Sequence, residues 1–298
     1  MTFIEWVQDT VHNVNEDGWD GAKDSVEQLR IGAFRRLDWL SNGVHIYEHD
    51  WDLLIVLDGC RYDLMEEVVE EYNFLESIER FNSVGSSSSE WLRRNFTEDY
   101  RDEIEHTIHV TGNPNSKQDL LVREFSVLDE VWEYEWDDDL GTIYPDAITD
   151  RAIALHREHS PERMLVHYMQ PHHPFIENPI GEGFGESDPW SCLQKGDVQR
   201  ETVWQKYRQN LKYVLNHLPL LLRNVDAEKV IITADHGNLL GEYGLYGHPA
   251  KVAVSELRTV PWCKTTVEDT GEYEPTLVPS HDQAADVAER RLADLGYR

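Results

Sequence analysis

Cysteine is scarce: Cys60, Cys192 and Cys263 are the only three in 298 residues. They cannot all pair and form no C-x-x-C unit, which argues against a disulfide framework and for reduced thiols. Cys60 reads as a small thiol packed under a strand end. Long apolar runs are missing too, and none approaches the roughly eighteen residues of a membrane-crossing helix. Basic residues are few. Lys and Arg total 27 against 57 Asp and Glu, a net charge of −30 spread along the chain, with Lys outnumbered by Arg. Such a surface repels nucleic acid and anionic membranes, so neither is expected as a partner. Dispersed acidity with little Lys predicts a protein of a salt-rich cytosol, where screening keeps hydrated carboxylates apart. The segment Met1 to Val7 is acidic early and lacks a basic region before an apolar core, so a cytoplasmic chain without signal peptide is expected. No repeat interrupts the pattern, and no linker demands two domains. One α/β domain over 1–298 is therefore expected, with helices in 1–50 packed on it and a C-terminal helix over 280–298.

What the chain does have is two apolar runs that end in acids. Val230-Ile231-Ile232-Thr233 runs into Ala234-Asp235-His236-Gly237, and Leu53-Leu54-Ile55-Val56-Leu57 runs into Asp58-Gly59-Cys60-Arg61. Short β-branched runs are typical of buried parallel strands, and ligands of open α/β sheets gather where such strands end. Asp58, Asp235 and His236 thus form a candidate ligand set for one divalent cation. Carboxylate oxygen with imidazole admits Zn, Mn, Mg or Ca and excludes a thiolate-rich site.

Further strands are expected at His106 to Val110, Val131 to Tyr134 and Met164 to Met169, and helices at Asp63 to Glu71, Asp146 to Glu158 and Val198 to Leu222. This alternation predicts a mostly parallel central sheet sandwiched by helices. In the first fifty residues Val26, Leu29, Ala33, Leu37 and Leu40 make a helical stripe that should pack outside the sheet. The last long helix shows Trp204, Tyr207, Leu211, Val214 and Leu218 on one face. Ser280 with Gln283 predicts a capping box for a final helix, and Ser87 with Glu90 predicts another helix start. Glu177 to Asp197 and Lys264 to Pro279 read as loops.

The segments around Asp58 and Asp235 resemble the alkaline phosphatase superfamily, in particular its sulfatase-like branch with sulfatases and phosphoglycerol and phosphoethanolamine transferases. The likeness continues through Leu240-Gly241-Glu242-Tyr243-Gly244-Leu245-Tyr246-Gly247-His248, the apolar Val260-Pro261-Trp262, and Pro171-His172-His173-Pro174-Phe175. It implies an alkaline phosphatase or sulfatase-like α/β fold and a metal-dependent ester hydrolase or transferase. It also implies a nucleophile in Asn82 to Trp91, at a helix start whose free N–H groups suit an anion. Matching the transferase pattern through Glu90 picks Ser86, matching the sulfatase pattern picks Ser87, and Ser88 follows them. His172 would contact the anionic group or protonate the leaving oxygen. His248 stands where sulfatases have a lysine, and would meet the transferred group or a second metal. Asn113 and Asn115, in place of the sulfatases' G-K-W-H segment, would donate hydrogen bonds to substrate. His167 and His173 read as packing or local hydrogen bonding, and Asp63 as a helix cap.

One departure separates reaction classes. Formylglycine sulfatases need x-Pro-x-Arg after the modified residue, and Ser86 to Glu90 has neither. A second sulfatase aspartate is replaced by Gly59. Phosphate esters or phosphodiesters, on a small molecule or a glycan, are therefore the expected substrates. A sulfate-ester hydrolase and a catalytically silent anion- or sugar-binding relative are the alternatives, and a phosphoglycerate mutase-like enzyme, suggested only by Thr233 to Asn238, is a weaker one. The pattern carries no signal for oligomeric state.

Overall fold

The computed structural model describes residues 19–36, 42–120, 124–177, 179–180, 188–279, 291–292 and 295. Its centre is a seven-stranded sheet: β1 (Leu53–Leu57), β2 (Ser77–Asn82), β3 (Thr107–Thr111), β4 (Val127–Glu130), β5 (Arg163–Tyr168), β6 (Val230–Thr233) and β7 (Thr259–Thr265), in the order β2-β7-β6-β1-β5-β3-β4. β1 pairs in parallel with both β5 and β6, and β3 with both β5 and β4. β7 runs antiparallel between β6 and β2. All five residues of β1 are buried, as a strand covered on both faces requires. Each such aliphatic side chain contributes about 1.5–3 kcal/mol relative to exposure.

Helices cover the sheet. The relevant ones are α1 (Trp19–Arg35), α2 (Ser88–Asn95), α3 (Pro145–His159), α4 (Pro189–Lys195) and α5 (Arg200–Leu222). α3 packs on β3, β5 and α5. Tyr207, Leu211, Val214 and Leu218 of α5 are buried along the expected face. Trp51, Trp91, Trp132, Tyr168 and Tyr207 are the bulkiest fully buried rings.

Several expectations need correction. The strand expected at Val131 to Tyr134 lies four residues earlier, at Val127–Glu130, and Val131–Glu133 is a 3-10 turn. Asp63 to Glu71 divides into a helix over Tyr62–Glu66 and a 3-10 turn over Val69–Glu71. The Glu177 to Asp197 segment contains α4, capped by Asp188, whose carboxylate accepts from the backbone N–H groups of Trp190 and Ser191. The stripe on α1 is the wrong one: Val26 and Leu29 are exposed, at 45% and 44%. Ile31 and Phe34 pack instead on a small cluster of Leu239, Leu245, Val252, Val254 and Leu257. Leu37, Leu40 and the capping box at Ser280 lie outside the described residues, though Arg291 and Leu292 are helical.

Candidate metal and nucleophile site

Register brings the two acid-bearing loops together. Val56 of β1 stands opposite Thr233 of β6, so two residues further on Asp58 and Asp235 leave neighbouring strands side by side. Gly59 turns the chain with φ +68°, a conformation that favours glycine, and its N–H donates to Asp235 Oδ1 at 2.9 Å. A Cβ at Gly59 would lie 2.7 Å from Asn238 Nδ2. The His236 N–H also donates to Asp235 Oδ1, at 2.8 Å. Arg61, buried behind the loop, ties the two segments by donating to Asp63, to the Asn238 carbonyl and to Glu242. Asp63 therefore holds Arg61, and its carboxylate also accepts from the Leu64 N–H.

Asp58, Asp235 and His236 are wholly buried, and their ligand atoms lie within 4.8 Å of one another. Asp58 Oδ2 accepts from Ser88 Oγ at 3.0 Å and from Asn113 Nδ2 at 2.6 Å. Asp58 Oδ1 and Asp235 Oδ2 have no hydrogen-bond partner among the described residues. His236 Nδ1 donates to the Gly237 carbonyl, so Nε2 is the nitrogen turned toward the acids. Nε2 stands 3.7 Å from Asp58 Oδ1 and 3.5 Å from Asp235 Oδ2.

Burial pushes Asp58 well above the usual carboxylate range, and the charge of Asp235 adds to it. Burial also pushes Asp235 upward, but His236, His167 and the Gly59 N–H together hold it below its ordinary value. Two buried acids this close favour sharing one negative charge unless a cation compensates them. The two orphan oxygens, the imidazole nitrogen turned toward them and the absence of thiolate in the cluster fit a divalent cation. Burial drives the Cys60 thiol well up, consistent with an inert packed group.

The three serines separate by geometry. Ser87 is the N-cap of α2 and accepts from the Glu90 N–H at 3.4 Å, as its sequence position predicts. Ser86 Oγ lies 2.9 Å from Glu90 Oε2 and from the Pro249 carbonyl, and accepts from the Val252 N–H. Glu90 also receives the Ser86 N–H and the Arg258 guanidinium, so this serine belongs to a scaffold. Ser88, the first residue of α2, is the one whose hydroxyl reaches both Asp58 Oδ2 at 3.0 Å and His236 Nε2 at 3.1 Å.

His172 Nδ1 bonds the His173 carbonyl, and its Nε2 meets His248 Nε2 at 3.0 Å. The His248 ring also lies 4.7 Å from that of His236. Burial lowers the pKa values of both His172 and His248 well below the ordinary histidine range, so both are neutral at pH 7. Asn113, expected to donate to substrate, gives its amide N–H to Asp58 and accepts from Asn115. Asn115 and His248 line a cavity of about 770 Å³ together with Ser87, Trp190, Arg35 and Arg93.

Sequence reasoning missed two buried contributors. Arg61 and Glu90 carried visible signals, since a charged side chain beside a ligand or inside a capping box is a candidate tie. His167 is buried like a core residue, but its Nε2 lies 3.8 Å from Asp58 and 3.7 Å from Asp235. Burial lowers its pKa to about 4.

No protein-family model and no curated protein sequence matches the chain. Among solved structures, the soluble domain of lipooligosaccharide phosphoethanolamine transferase A from Neisseria meningitidis superposes with a TM-score of 0.52 at 15% identity, covering 72% of this chain and 75% of that one. The chain has the alkaline phosphatase superfamily fold. The periplasmic domain of phosphoethanolamine transferase EptC from Campylobacter jejuni aligns at TM-score 0.45 and 18% identity, over 72% of this chain and 79% of that one. The lipoteichoic acid synthase LtaP from Listeria monocytogenes aligns at TM-score 0.43 and 12% identity, over 81% and 72%. At 15% identity the superposition on the Neisseria meningitidis domain speaks to architecture alone, and the chemistry rests on the side chains. Among the described residues, no helix is long and apolar enough to cross a membrane.

Proposed function

We propose that this protein is a metal-dependent hydrolase or transferase of phosphate esters or phosphodiesters, with Ser88 as nucleophile. The observation that carries the reading is Ser88 Oγ, held at 3.0 Å from Asp58 and 3.1 Å from His236 at the start of α2. A divalent cation held by Asp58, Asp235 and His236 would neutralise the acid pair and lower the pKa of the neighbouring hydroxyl. Asp58 Oδ2, which accepts the Ser88 hydroxyl at 3.0 Å, is placed to take its proton. As the Ser88 Oγ–P bond forms, the ester P–O bond breaks and the leaving oxygen takes up a proton. Water or an acceptor alcohol then displaces Ser88 from phosphorus. His248, which faces the cavity, and His172 behind it engage the anionic group or the leaving oxygen as uncharged hydrogen-bonding partners.

The cavity is wide enough for a small-molecule or glycan ester and mixes aromatic with polar walls. The net charge of −30 supports a salt-rich cytosol as the working compartment. The test is a panel of phosphomonoesters, phosphodiesters and sulfate esters run on protein of measured metal content, with acid-quenched reactions analysed by mass spectrometry. Turnover of phosphate esters with an adduct on Ser88 is the expected result. Turnover of sulfate esters alone would transfer the site to sulfatase chemistry, and a metal-loaded protein inert to every ester would indicate a binding relative.

A further inference from the structure

We propose that the cavity beside His248 is a subsite for a second anionic group of the substrate, held by Arg35, Arg93 and the indole N–H of Trp190. The inference rests on reading the Ser88 centre as an ester-cleaving site. It narrows the substrate to esters with a further carboxylate, phosphate or sulfate on the part that is not attacked. The cavity begins at the centre: His248, whose Nε2 meets that of His172 at 3.0 Å, lines it, as do Ser87 and Ser89 on either side of Ser88. Arg93 lines it too. Ser89 and Arg93 are four residues apart on α2 and so share a face of that helix. At 1.5 Å per residue, Arg93 stands about 7.5 Å along the axis from Ser88, a span on the scale of one sugar ring.

The donors around this cavity have capacity to spare. Trp190 is 4% exposed, and its Nε1 has no hydrogen-bond partner among the described residues. The indole edge that carries Nε1 lies against Gly247, where a Cβ would fall 3.4 Å from Trp190 Cδ1, so the N–H stands beside the residue that precedes His248. A buried indole N–H normally has an acceptor, and an oxygen of a bound anion supplies one. Among the described residues, Arg35 donates only through Nε, to the Ala250 carbonyl at 2.9 Å, which leaves both Nη groups for a ligand. Arg93 gives Nη1 to Asp119 at 3.2 Å; that carboxylate is 6% exposed against 58% for the arginine, so a sheltered acid anchors an open guanidinium. The acids of the wall are already engaged. Glu27 accepts from the Gln194 amide and the Tyr246 N–H, and Asp188 caps α4. A net charge of −30 opposes an anionic ester at a distance, so holding one requires cations in contact with it, and arginine offers paired donors for that purpose.

The experiment compares glucose 1-phosphate with glucuronic acid 1-phosphate, which differ by one carboxylate, on the metal-loaded full chain at one fixed KCl concentration. The acidic ester should have the higher kcat/KM by at least about tenfold, the scale of one charge-assisted contact. Arg35→Gln/Arg93→Gln should bring that ratio to within about twofold of unity. Trp190→Phe, which keeps an aromatic ring and removes the N–H, should reduce it by at least about threefold, and this result stands even if the double variant fails to fold. A ratio near unity in the wild-type chain, or one that the variants leave unchanged, would overturn the subsite and leave the proposed reaction intact. If neither ester turns over, dissociation constants from calorimetry on the Ser88→Ala chain decide. The same preference, lost in the arginine variants, would uphold the subsite and count against the reaction on phosphomonoesters. Equal or undetectable binding of the two compounds would overturn the subsite.

Discussion

Alanine at each of Ser86, Ser87 and Ser88 should give three distinct outcomes, because each hydroxyl has a different set of partners. Ser88→Ala removes the group placed against Asp58 and His236, and should lower kcat by at least about a thousandfold, or about 4 kcal/mol of transition-state stabilisation. Its cost to stability should be small, about 1 kcal/mol, because Asp58 Oδ2 keeps the Asn113 amide as donor. Ser87→Ala removes an N-cap whose hydrogen bond is long at 3.4 Å. The loss should be about 0.5–1 kcal/mol with turnover near wild type, a fall in melting temperature of about 2 °C for a chain of this size. Ser86→Ala strands the Val252 N–H and removes a bond to Glu90, so about 1–3 kcal/mol should go. The assay is a coupled measurement of thermal unfolding and initial rate on the same preparations. Activity should collapse where stability barely moves, and stability should fall where activity survives. Wild-type turnover in Ser88→Ala, or in all three variants together, would refute the nucleophile and favour direct attack by water.

Chelation should lower the melting temperature and abolish turnover, with both restored by added metal, since a ligand of the folded state stabilises it by mass action. Asp235→Ala should lose stoichiometric metal in elemental analysis, and full retention would contradict the ligand set. Glu90 tests the scaffold by pH. Burial alone would raise its pKa, but Arg258 and the N–H groups of Ser86 and Lys251 hold it below the usual glutamate value. Its stabilisation is therefore complete above the unfolded-state pKa and fades as pH falls through the folded one. The stability gap between wild type and Glu90→Gln should be constant from pH 7 to about 5 and narrow on further acidification; a gap that widens in acid would be the wrong sign. In KCl, the net charge of −30 predicts a melting temperature that rises from 0.01 M to molar salt, as the screening length falls from about 30 Å to about 3 Å. A flat profile would remove the argument for a salt-rich cytosol.

The strands that carry the site were legible because they are buried on both faces and written as unbroken apolar runs. β1, β5 and β6 fall within a residue or two of their expected positions. β2 was not legible, because its burial alternates poorly and Glu79 and Arg80 are exposed on it. Those charges suit an edge strand paired only through β7, where they discourage further pairing. The α1 stripe misled because Ile31 and Phe34 face a small local cluster, which helical periodicity alone could not favour over Val26 and Leu29. Within the site, Asp58, Asp235 and His236 were readable from strand ends. Which of Ser86, Ser87 and Ser88 lies against the acids was not, since local capping chemistry identifies the cap and says nothing about which neighbour turns inward. His167 was hidden for a similar reason: in a strand of buried residues, only cross-strand register reveals which side chain lies under the acids.

The hydrogen bond from Gly59 to Asp235 joins positions 176 residues apart. The two acid-bearing loops do not meet until β1 and β6 lie side by side, so no short fragment of the chain contains both acids. On the proposed reading, metal uptake would be a late event in folding, confined to molecules whose central strands are already paired, and long-range pairing of this kind is slow to form. Nascent or partly unfolded chains would neither sequester the ion nor carry out chemistry with it. Occupancy thereby becomes a report on completed assembly, and scarcity of the ion would be felt first as a shortened lifetime of the whole folded chain.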